Sequence, residues 1–244
     1  MGANGDTVEE RLSIAGRDIV LVRPREWESL LTEEAFEREE LLPYWAHLWG
    51  SAVALAEAVA GEDMRGRRVL ELGCGLGLPS IAAAQAGAYV TATDWSAHAV
   101  RAAAANAAMN GVQVRTVVAD WNDPGALVDQ GPWDLVLAAD VLYERPKART
   151  LLDLLPRLAD TVMLAEPGRA PAQAFFDGTG AHWHLTEVAT REDPRVTVHR
   201  LRRRQEGMEP AATGRRAADP RHLPGGCGGE LRRADTDGPH RPAW

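Results

Sequence analysis

Three alternating glycines, directly after a short apolar run, set the pattern for the middle of this 244-residue chain. The run at 69–72 is apolar apart from Glu71, and glycine occupies positions 73, 75 and 77 before an alanine-rich segment. Because glycine has no Cβ, such a loop adopts positive φ angles and lets the backbone approach a ligand closely. The pattern predicts a buried strand, a nucleotide-cradling turn and a helix; the alternative is a turn that serves the fold alone.

The spacing of the glycines separates two classes of nucleotide cofactor. A dinucleotide-binding turn follows Gly-x-Gly-x-x-Gly, but the sixth position counted from Gly73 is Leu78. The sequence Glu-x-Gly-x-Gly-x-Gly instead resembles the first motif of seven-strand methyltransferases, whose acid can meet the methionine ammonium of S-adenosylmethionine. The resemblance predicts this cofactor, with S-adenosylhomocysteine as its product. The predicted contacts from the loop are Glu71, Gly73, Cys74, Gly75 and Gly77.

Composition limits the class of protein further. The length suits one α/β core with appendages, and no stretch approaches the roughly 18 apolar residues of a membrane span. A formal net charge of −8 argues against a general nucleic-acid binder, so a basic or neutral substrate fits better. The N-terminal residues do not resemble a secretory signal, and Cys74 and Cys227 suggest no disulfide framework. We therefore expect a cytoplasmic protein without a membrane partner.

From residue 67 onward, apolar strand patterns alternate with helical ones. Strands are predicted at 68–72, 89–93, 113–119, 134–138 and 161–165, and helices at 78–86, 96–109, 147–158 and 170–177. This alternation implies a parallel sheet with helices on both faces, and two last strands at 182–189 and 196–202 predict an antiparallel hairpin. The predicted fold is a Rossmann-like α/β sheet, mostly parallel, similar to the seven-strand methyltransferase sheet.

Three regions follow from these patterns. Residues 1–61 are predicted to form a hairpin at 11–22 and helices that cap the cofactor site, one at 32–42 and one with Ser51 as its N-cap. Residues 62–203 are predicted to form the cofactor-binding core, and the Gly- and Pro-rich residues 204–244 a tail without a core. Acids gather between Glu26 and Glu40, as a solvated helix face or as a surface for a basic substrate.

The ends of the second and third core strands carry acids beside tryptophans. Ligands of open parallel sheets bind outside the carboxyl ends of the strands. Asp94 is placed to accept hydrogen bonds from ribose hydroxyls, with Trp95 beside it; the alternative is an acid that interacts with a helix dipole. Asp120 and Trp121 suit an adenine, through its N6 amine and its ring, although Trp121 can equally belong to the core.

The fourth core strand ends in Asp140-x-x-Tyr143, the candidate catalytic pair. Together with residues 43–50, the glycine loop and Asp120-Trp121, this element resembles the family-16 seven-strand methyltransferases, many of which are protein lysine methyltransferases. Residues 44–50 are especially similar to the branch that methylates the electron-transfer flavoprotein β-subunit, and related bacterial chains are described as nicotinamide N-methylase-like. The resemblance implies that Asp140 and Tyr143 lie at the methyl-accepting nitrogen. The cofactor contacts that it implies are Trp49, Gly73, Gly75, Asp94, Trp121 and Ala139.

The sequence therefore predicts a methyltransferase that uses S-adenosylmethionine and acts on a lysine of a protein substrate. The alternatives are transfer to a small amine or N-heterocycle, and a cofactor-binding regulatory protein without turnover. Arg169, after the fifth core strand, either touches the substrate or stabilises its loop, and His47 either lines the pocket or is structural. His182 and His184 share a strand face but lack further ligands, so no metal site is expected.

Overall fold

The computed structural model describes residues 6–30, 42–192 and 195–204. A seven-stranded sheet runs through the core in the order β5-β4-β3-β6-β7-β9-β8. The strands from β3 to β7 pair in parallel, and β9 runs antiparallel to both β7 and β8. The strands are β1 Thr7–Ile14, β2 Arg17–Pro24, β3 Arg68–Leu72, β4 Tyr89–Asp94, β5 Val114–Val118, β6 Leu135–Ala139, β7 Thr161–Glu166, β8 Trp183–Glu192 and β9 Arg195–Arg203.

Six α-helices alternate with these strands in the described part of the chain. They are α1 Gly50–Ala60, α2 Leu78–Gln85, α3 Ala97–Met109, α4 Gly125–Asp129, α5 Arg145–Leu158 and α6 Ala170–Thr179. The predicted fold class is confirmed, and the predicted core strands agree with the observed ones within one or two residues, apart from the longer β8. No described helix has the length and apolar character needed to cross a bilayer.

The central strands are buried on both faces because helices cover both sides of the sheet. On one face, Leu70 and Val136 pack in a cluster with residues of α5 and α6, including Leu151 and Phe175. On the other face, Val69 packs in a cluster with residues of α1. A parallel sheet covered on both faces has nearly continuous apolar strands, which is the pattern of β3 and β6.

A two-stranded hairpin, β1 and β2, stands outside the main sheet and packs on the helices. Asn106 of α3 and Asn110, the residue that caps the C-terminus of α3, hold it. Asn106 Oδ1 accepts a hydrogen bond from the backbone N of Val22 at 2.9 Å, and Asn110 bonds to both the backbone N and the backbone O of Val20 at 2.8 and 2.7 Å. The hairpin is longer than the predicted 11–22.

The first helix begins earlier than predicted. Its N-cap is Trp49, in an extended conformation, and Ser51 lies inside the helix with its side chain buried. The prediction of Ser51 as the N-cap is therefore wrong, because the chain enters the helix at Gly50. The predicted helix at 32–42 falls almost wholly outside the described residues, as does the predicted tail beyond residue 204.

Candidate active site

The glycine loop joins β3 to α2 at the carboxyl end of the sheet. Gly73 has a φ of +70°, and a Cβ there would lie 3.1 Å from Val141 Cγ1 and 3.7 Å from Trp121 Cζ2. Gly77 has a φ of +84°, and a Cβ there would lie 2.9 Å from Cβ of Ala103 on α3. Gly73 thus leaves space beside an indole, whereas Gly77 permits close packing between two helices.

Asp94, the last residue of β4, fastens the loop from the side. Its Oδ2 accepts a hydrogen bond from the backbone N of Gly75 at 3.1 Å, and its Oδ1 accepts one from the backbone N of Ser96 at 2.9 Å. Burial raises the pKa of Asp94, and these backbone donors oppose that shift. Each carboxylate oxygen keeps a lone pair that can accept a further hydrogen bond.

A cavity opens at this edge of the sheet, between the glycine loop and a short helical turn, Tyr44–Ala46, that precedes α1. Its lining combines backbone, aromatic rings and two acids. The lining residues are Leu42, Tyr44, Trp45, Trp49, Gly73, Gly75, Asp94, Trp95, Trp121, Ala139, Asp140, Val141 and Tyr143. Seven of the predicted cofactor contacts lie here together: Trp49, Gly73, Gly75, Asp94, Trp95, Trp121 and Ala139.

These residues fit S-adenosylmethionine, and we call the space that they line the cofactor cavity. The missing Cβ of Gly73 leaves a cradle that a side chain would fill, Trp121 offers a ring face for a purine, and Asp94 offers acceptors for ribose hydroxyls. Asp140, which also lines the cavity, offers further carboxylate acceptors. A ligand that carries a nucleoside matches this set of rings and acceptors.

Four predicted cofactor contacts do not line this cavity: Glu71, Cys74, Gly77 and Asp120. Glu71 is buried, and its Oε2 accepts hydrogen bonds from the backbone N of Ser80, at 3.0 Å, and from its hydroxyl. Burial raises the pKa of Glu71 to about 8 despite these donors, so it is largely protonated at neutral pH. Cys74 packs against Ala92 and Ala103.

Asp120 faces a neighbouring cavity instead. Its Oδ1 accepts hydrogen bonds from the backbone N and the Nδ2 of Asn122, at 2.8 and 3.0 Å. The neighbouring cavity also contacts Trp95, Trp121 and Lys147, so it shares two tryptophans with the cofactor cavity.

A second pocket adjoins the cofactor cavity on the other side, and we call it the acceptor pocket. It is lined by Tyr44, Trp49, Asp140, Tyr143 and Arg169, of which the first four also line the cofactor cavity. The ring centroids of Tyr44 and Tyr143 are 6.0 Å apart, and those of Tyr44 and Trp49 are 6.3 Å apart. Three aromatic rings and one carboxylate thus stand where the two spaces meet.

Asp140 is held in place from two sides. Its backbone N donates to the carbonyl of Ala165 on β7 at 2.9 Å, and its φ of +55° lies in the left-handed region. Its Oδ1 and Oδ2 accept hydrogen bonds from Nε and Nη2 of Arg169, at 2.8 and 3.1 Å. The carboxylate lines the pocket, and the guanidinium fixes its orientation.

Tyr143 is held by the only lysine of the chain, Lys147. Lys147 Nζ donates to the Tyr143 hydroxyl and to Glu144 Oε1, the latter at 3.0 Å, and lies 4.1 Å from the Tyr143 ring centroid. Burial raises the pKa of Tyr143, and Lys147 opposes that shift. The phenol therefore stays protonated at neutral pH.

The sequence patterns did not single out Tyr44, Trp45 or Lys147 as site residues, and they left the role of Arg169 open. The two aromatic residues belong to the 43–50 segment that carries the family resemblance, so the signal was present. Lys147 lies four positions after Tyr143, and the entry of the chain into α5 at Arg145 brings the two side chains together. Nothing local in the sequence pairs Arg169 with Asp140, 29 positions away.

The strand order of the seven-stranded sheet, with the glycine loop directly after β3, defines the fold of methyltransferases that use S-adenosylmethionine. The N2 G1207 16S rRNA methyltransferase RsmC of T. thermophilus, solved with AdoMet and guanosine, shares this fold at a TM-score of 0.61 and 14% identity, over 81% of this chain and 51% of that chain. Magnesium protoporphyrin IX methyltransferase of Synechocystis, with bound SAH, matches at a TM-score of 0.50 and 21% identity, over 73% of this chain and 100% of that chain.

Within this class, residues 20–175 match the lysine methyltransferase family, and the chain belongs to that family. It is 34% identical to EEF1A lysine methyltransferase 3 of Mus musculus, over 66% of this chain and 73% of that protein. It is 36% identical to electron transfer flavoprotein beta subunit lysine methyltransferase of Xenopus laevis, over 52% of this chain and 54% of that protein. The match thus spans about half of this second relative. The predicted family and the predicted cofactor, S-adenosylmethionine, are confirmed.

Proposed function

We propose that this chain transfers a methyl group from S-adenosylmethionine to the side-chain amine of a lysine in a protein. The observation that carries the proposal is that Asp140 and Tyr143 line both the cofactor cavity and the acceptor pocket. A substrate amine that enters the acceptor pocket and contacts Asp140 and Tyr143 would therefore lie next to a cofactor bound in the cofactor cavity. Family membership and relatives named as protein lysine methyltransferases support the lysine acceptor.

The acceptor pocket has the chemistry that an amine needs. When bound, S-adenosylmethionine supplies an electrophilic methyl group on a sulfonium. Asp140 keeps one lone pair on each oxygen beyond its bonds to Arg169, so it can accept an N–H bond and orient the nitrogen. The rings of Tyr44, Trp49 and Tyr143 exclude water and stabilise positive charge that grows on nitrogen.

The experiment that tests this proposal uses the full chain, S-adenosylmethionine labelled in its methyl group and a lysate from the chain's own source. We expect label on lysine residues of one or a few proteins, located by mass spectrometry. Asp140→Asn should remove that label, while Asp153→Asn, a change to an exposed acid on α5, should leave it. Label confined to the small-molecule fraction would overturn the lysine acceptor in favour of a small amine. Absence of any label despite cofactor binding would favour a regulatory protein without turnover.

A further inference from the structure

We propose that Arg169 is a specificity-determining residue of the acceptor pocket, which selects the uncharged form of the acceptor amine over its ammonium. The inference rests on the proposed function. Only a nitrogen with a free lone pair can attack the methyl group and form the new N–C bond. The C–S bond breaks in the same step, and the electron pair of that bond passes to sulfur. An unperturbed lysine, with a pKa of about 10.4, is almost entirely ammonium at neutral pH.

The position of Arg169 follows from the turn between β7 and α6. Glu166 ends β7, and its Oε2 accepts a hydrogen bond from the backbone N of Gly168 at 2.6 Å. Gly168, with a φ of +83°, turns the chain, and Arg169 is the N-cap residue of α6. The side chain of Arg169 therefore extends from a turn that the Glu166–Gly168 hydrogen bond holds in place.

The guanidinium joins two walls of the acceptor pocket. It forms two hydrogen bonds with Asp140, whose side chain is 8% exposed, and its Cζ lies 5.7 Å from the ring centroid of Trp49. The hydrogen bond to Asp140 raises the pKa of Arg169 above its ordinary value. Arg169 therefore remains charged at neutral pH.

The positive charge of Arg169 offsets the negative charge of Asp140 at the place where an acceptor nitrogen would lie. Asp140 alone would attract an ammonium and keep it protonated, which blocks transfer. Paired with Arg169, Asp140 offers acceptor lone pairs in a region where a second positive charge is repelled. A neutral amine can donate to Asp140 without that penalty.

The other titratable groups around Arg169 do not reverse this balance. Glu166 is bound by its own turn, and burial, which raises its pKa, is outweighed by His199 and the backbone donors, which lower it. His199 lies on β9 behind Glu166, with Nε2 3.5 Å from Glu166 Oε1. Among the other titratable groups, Tyr44 of the short helical turn and Tyr143 after β6 line the pocket. Asp94 of β4 lines the adjoining cofactor cavity, and Lys147 of α5 reaches the Tyr143 hydroxyl from the neighbouring cavity. Lys147 adds positive charge beyond Tyr143, in the same direction as Arg169.

The test uses n-butylamine, which has the four carbons and the primary amine of a lysine side chain. It is titrated by calorimetry into the full chain saturated with S-adenosylhomocysteine, between about pH 7 and about pH 10. We expect the affinity of the wild-type chain for total butylamine to rise about tenfold per pH unit, since only the neutral fraction binds. In Arg169→Gln, the ammonium should bind at Asp140, so the affinity near pH 7 should rise about tenfold or more and its pH dependence should be lost.

Two further variants separate charge from packing. Arg169→Lys keeps the charge and should keep the wild-type pH dependence. Arg101→Gln removes an exposed charge from α3 and should behave as wild type. The proposal is overturned if Arg169→Gln binds butylamine with the wild-type pH dependence, or if butylamine binds to none of these proteins.

A kinetic readout separates this inference from the proposed function. The initial rate of lysine labelling in the lysate, followed against pH, should show its acidic limb about one unit higher in Arg169→Gln, with recovery in Arg169→Lys. Lysine labelling by the wild-type chain, together with unchanged butylamine behaviour in Arg169→Gln, would refute the role of Arg169 and leave the proposed function standing. Absence of lysine labelling, with the expected butylamine behaviour, would refute the function alone.

Discussion

The carboxylate of Asp140 and the guanidinium of Arg169 meet at the acceptor pocket through two hydrogen bonds, of 2.8 and 3.1 Å. The two residues come from different turns, one after β6 and one after β7, so the pairing of these parallel strands brings them together. Asp140 also has a positive φ of +55°. Both the backbone and the side chain of Asp140 are therefore fixed at the pocket. Residues in the left-handed region that is rare for side chains are often found at functional sites.

Replacement of Asp140 by asparagine tests its part in methyl transfer. Asparagine adopts the left-handed region more readily than most residues, so the backbone should be retained. We expect the rate of transfer to fall at least about 100-fold, since the carboxylate that pairs with Arg169 and orients the acceptor nitrogen is lost. The affinity for S-adenosylhomocysteine, measured by calorimetry, should stay within a few-fold. An unaltered rate would contradict the role of Asp140.

A methyl group on Gly73 tests the cofactor cradle. Gly73→Ala should weaken S-adenosylhomocysteine binding about tenfold or more, because the new Cβ lies 3.1 Å from Val141 and enters the space beside Trp121. Gly16→Ala is the matched control: its φ is +77°, close to the +70° of Gly73, and open space surrounds its Cβ. Both variants should lose about 1–2 kcal/mol of stability from the strained φ. Equal cofactor affinity in the two variants would contradict the assignment of Gly73.

Lys147 should not methylate itself when the chain is incubated alone with labelled S-adenosylmethionine. Burial lowers its pKa, but the bonds to Tyr143 and Glu144 outweigh burial and raise it, so the nitrogen remains protonated. Mass spectrometry gives a direct answer because the chain has one lysine. Methyl-lysine at position 147 would show that the nitrogen is released from Tyr143, and Lys147→Arg supplies the background signal.

Glu71 should make the fold less stable as pH rises. Its pKa is about 8 in the folded protein, against an ordinary value of 4.5, so the folded state binds more protons between these values. Stability from this group is fully present below the unfolded pKa and is lost as pH rises through the folded pKa. We expect urea denaturation to give a free energy of unfolding that falls by about 2 kcal/mol between about pH 5 and pH 7. Glu71→Gln, of the same shape, should remove most of that fall.

Sequence patterns were sufficient for the sheet because its strands are buried on both faces. Continuous apolar runs such as the one at 135–138, set between helical patterns, leave few alternatives to a parallel sheet. Asp94, Trp121 and Asp140 could be placed at one edge of the sheet for the same reason: each lies at or just after the end of a strand of that sheet, and the carboxyl ends of parallel strands share one edge.

The sequence patterns did not contain the directions of the side chains. Glu71 lies on β3 within reach of Ser80, and Asp120 is engaged by Asn122, so neither of these acids lines the cofactor cavity. Strand register and local turn bonds decide these directions, and motif spacing does not contain them. The pairing of Asp140 with Arg169 likewise depends on β6 lying beside β7, which topology determines.

Acid hydrolysis of the labelled lysate proteins offers the most direct test of lysine methylation in the Asp140 pocket. With the wild-type chain, the methyl label should be recovered as N-methylated lysine, and with Asp140→Asn that signal should disappear while S-adenosylhomocysteine binding persists. Label recovered on any other amino acid, or equal N-methyl-lysine from the two proteins, would contradict it.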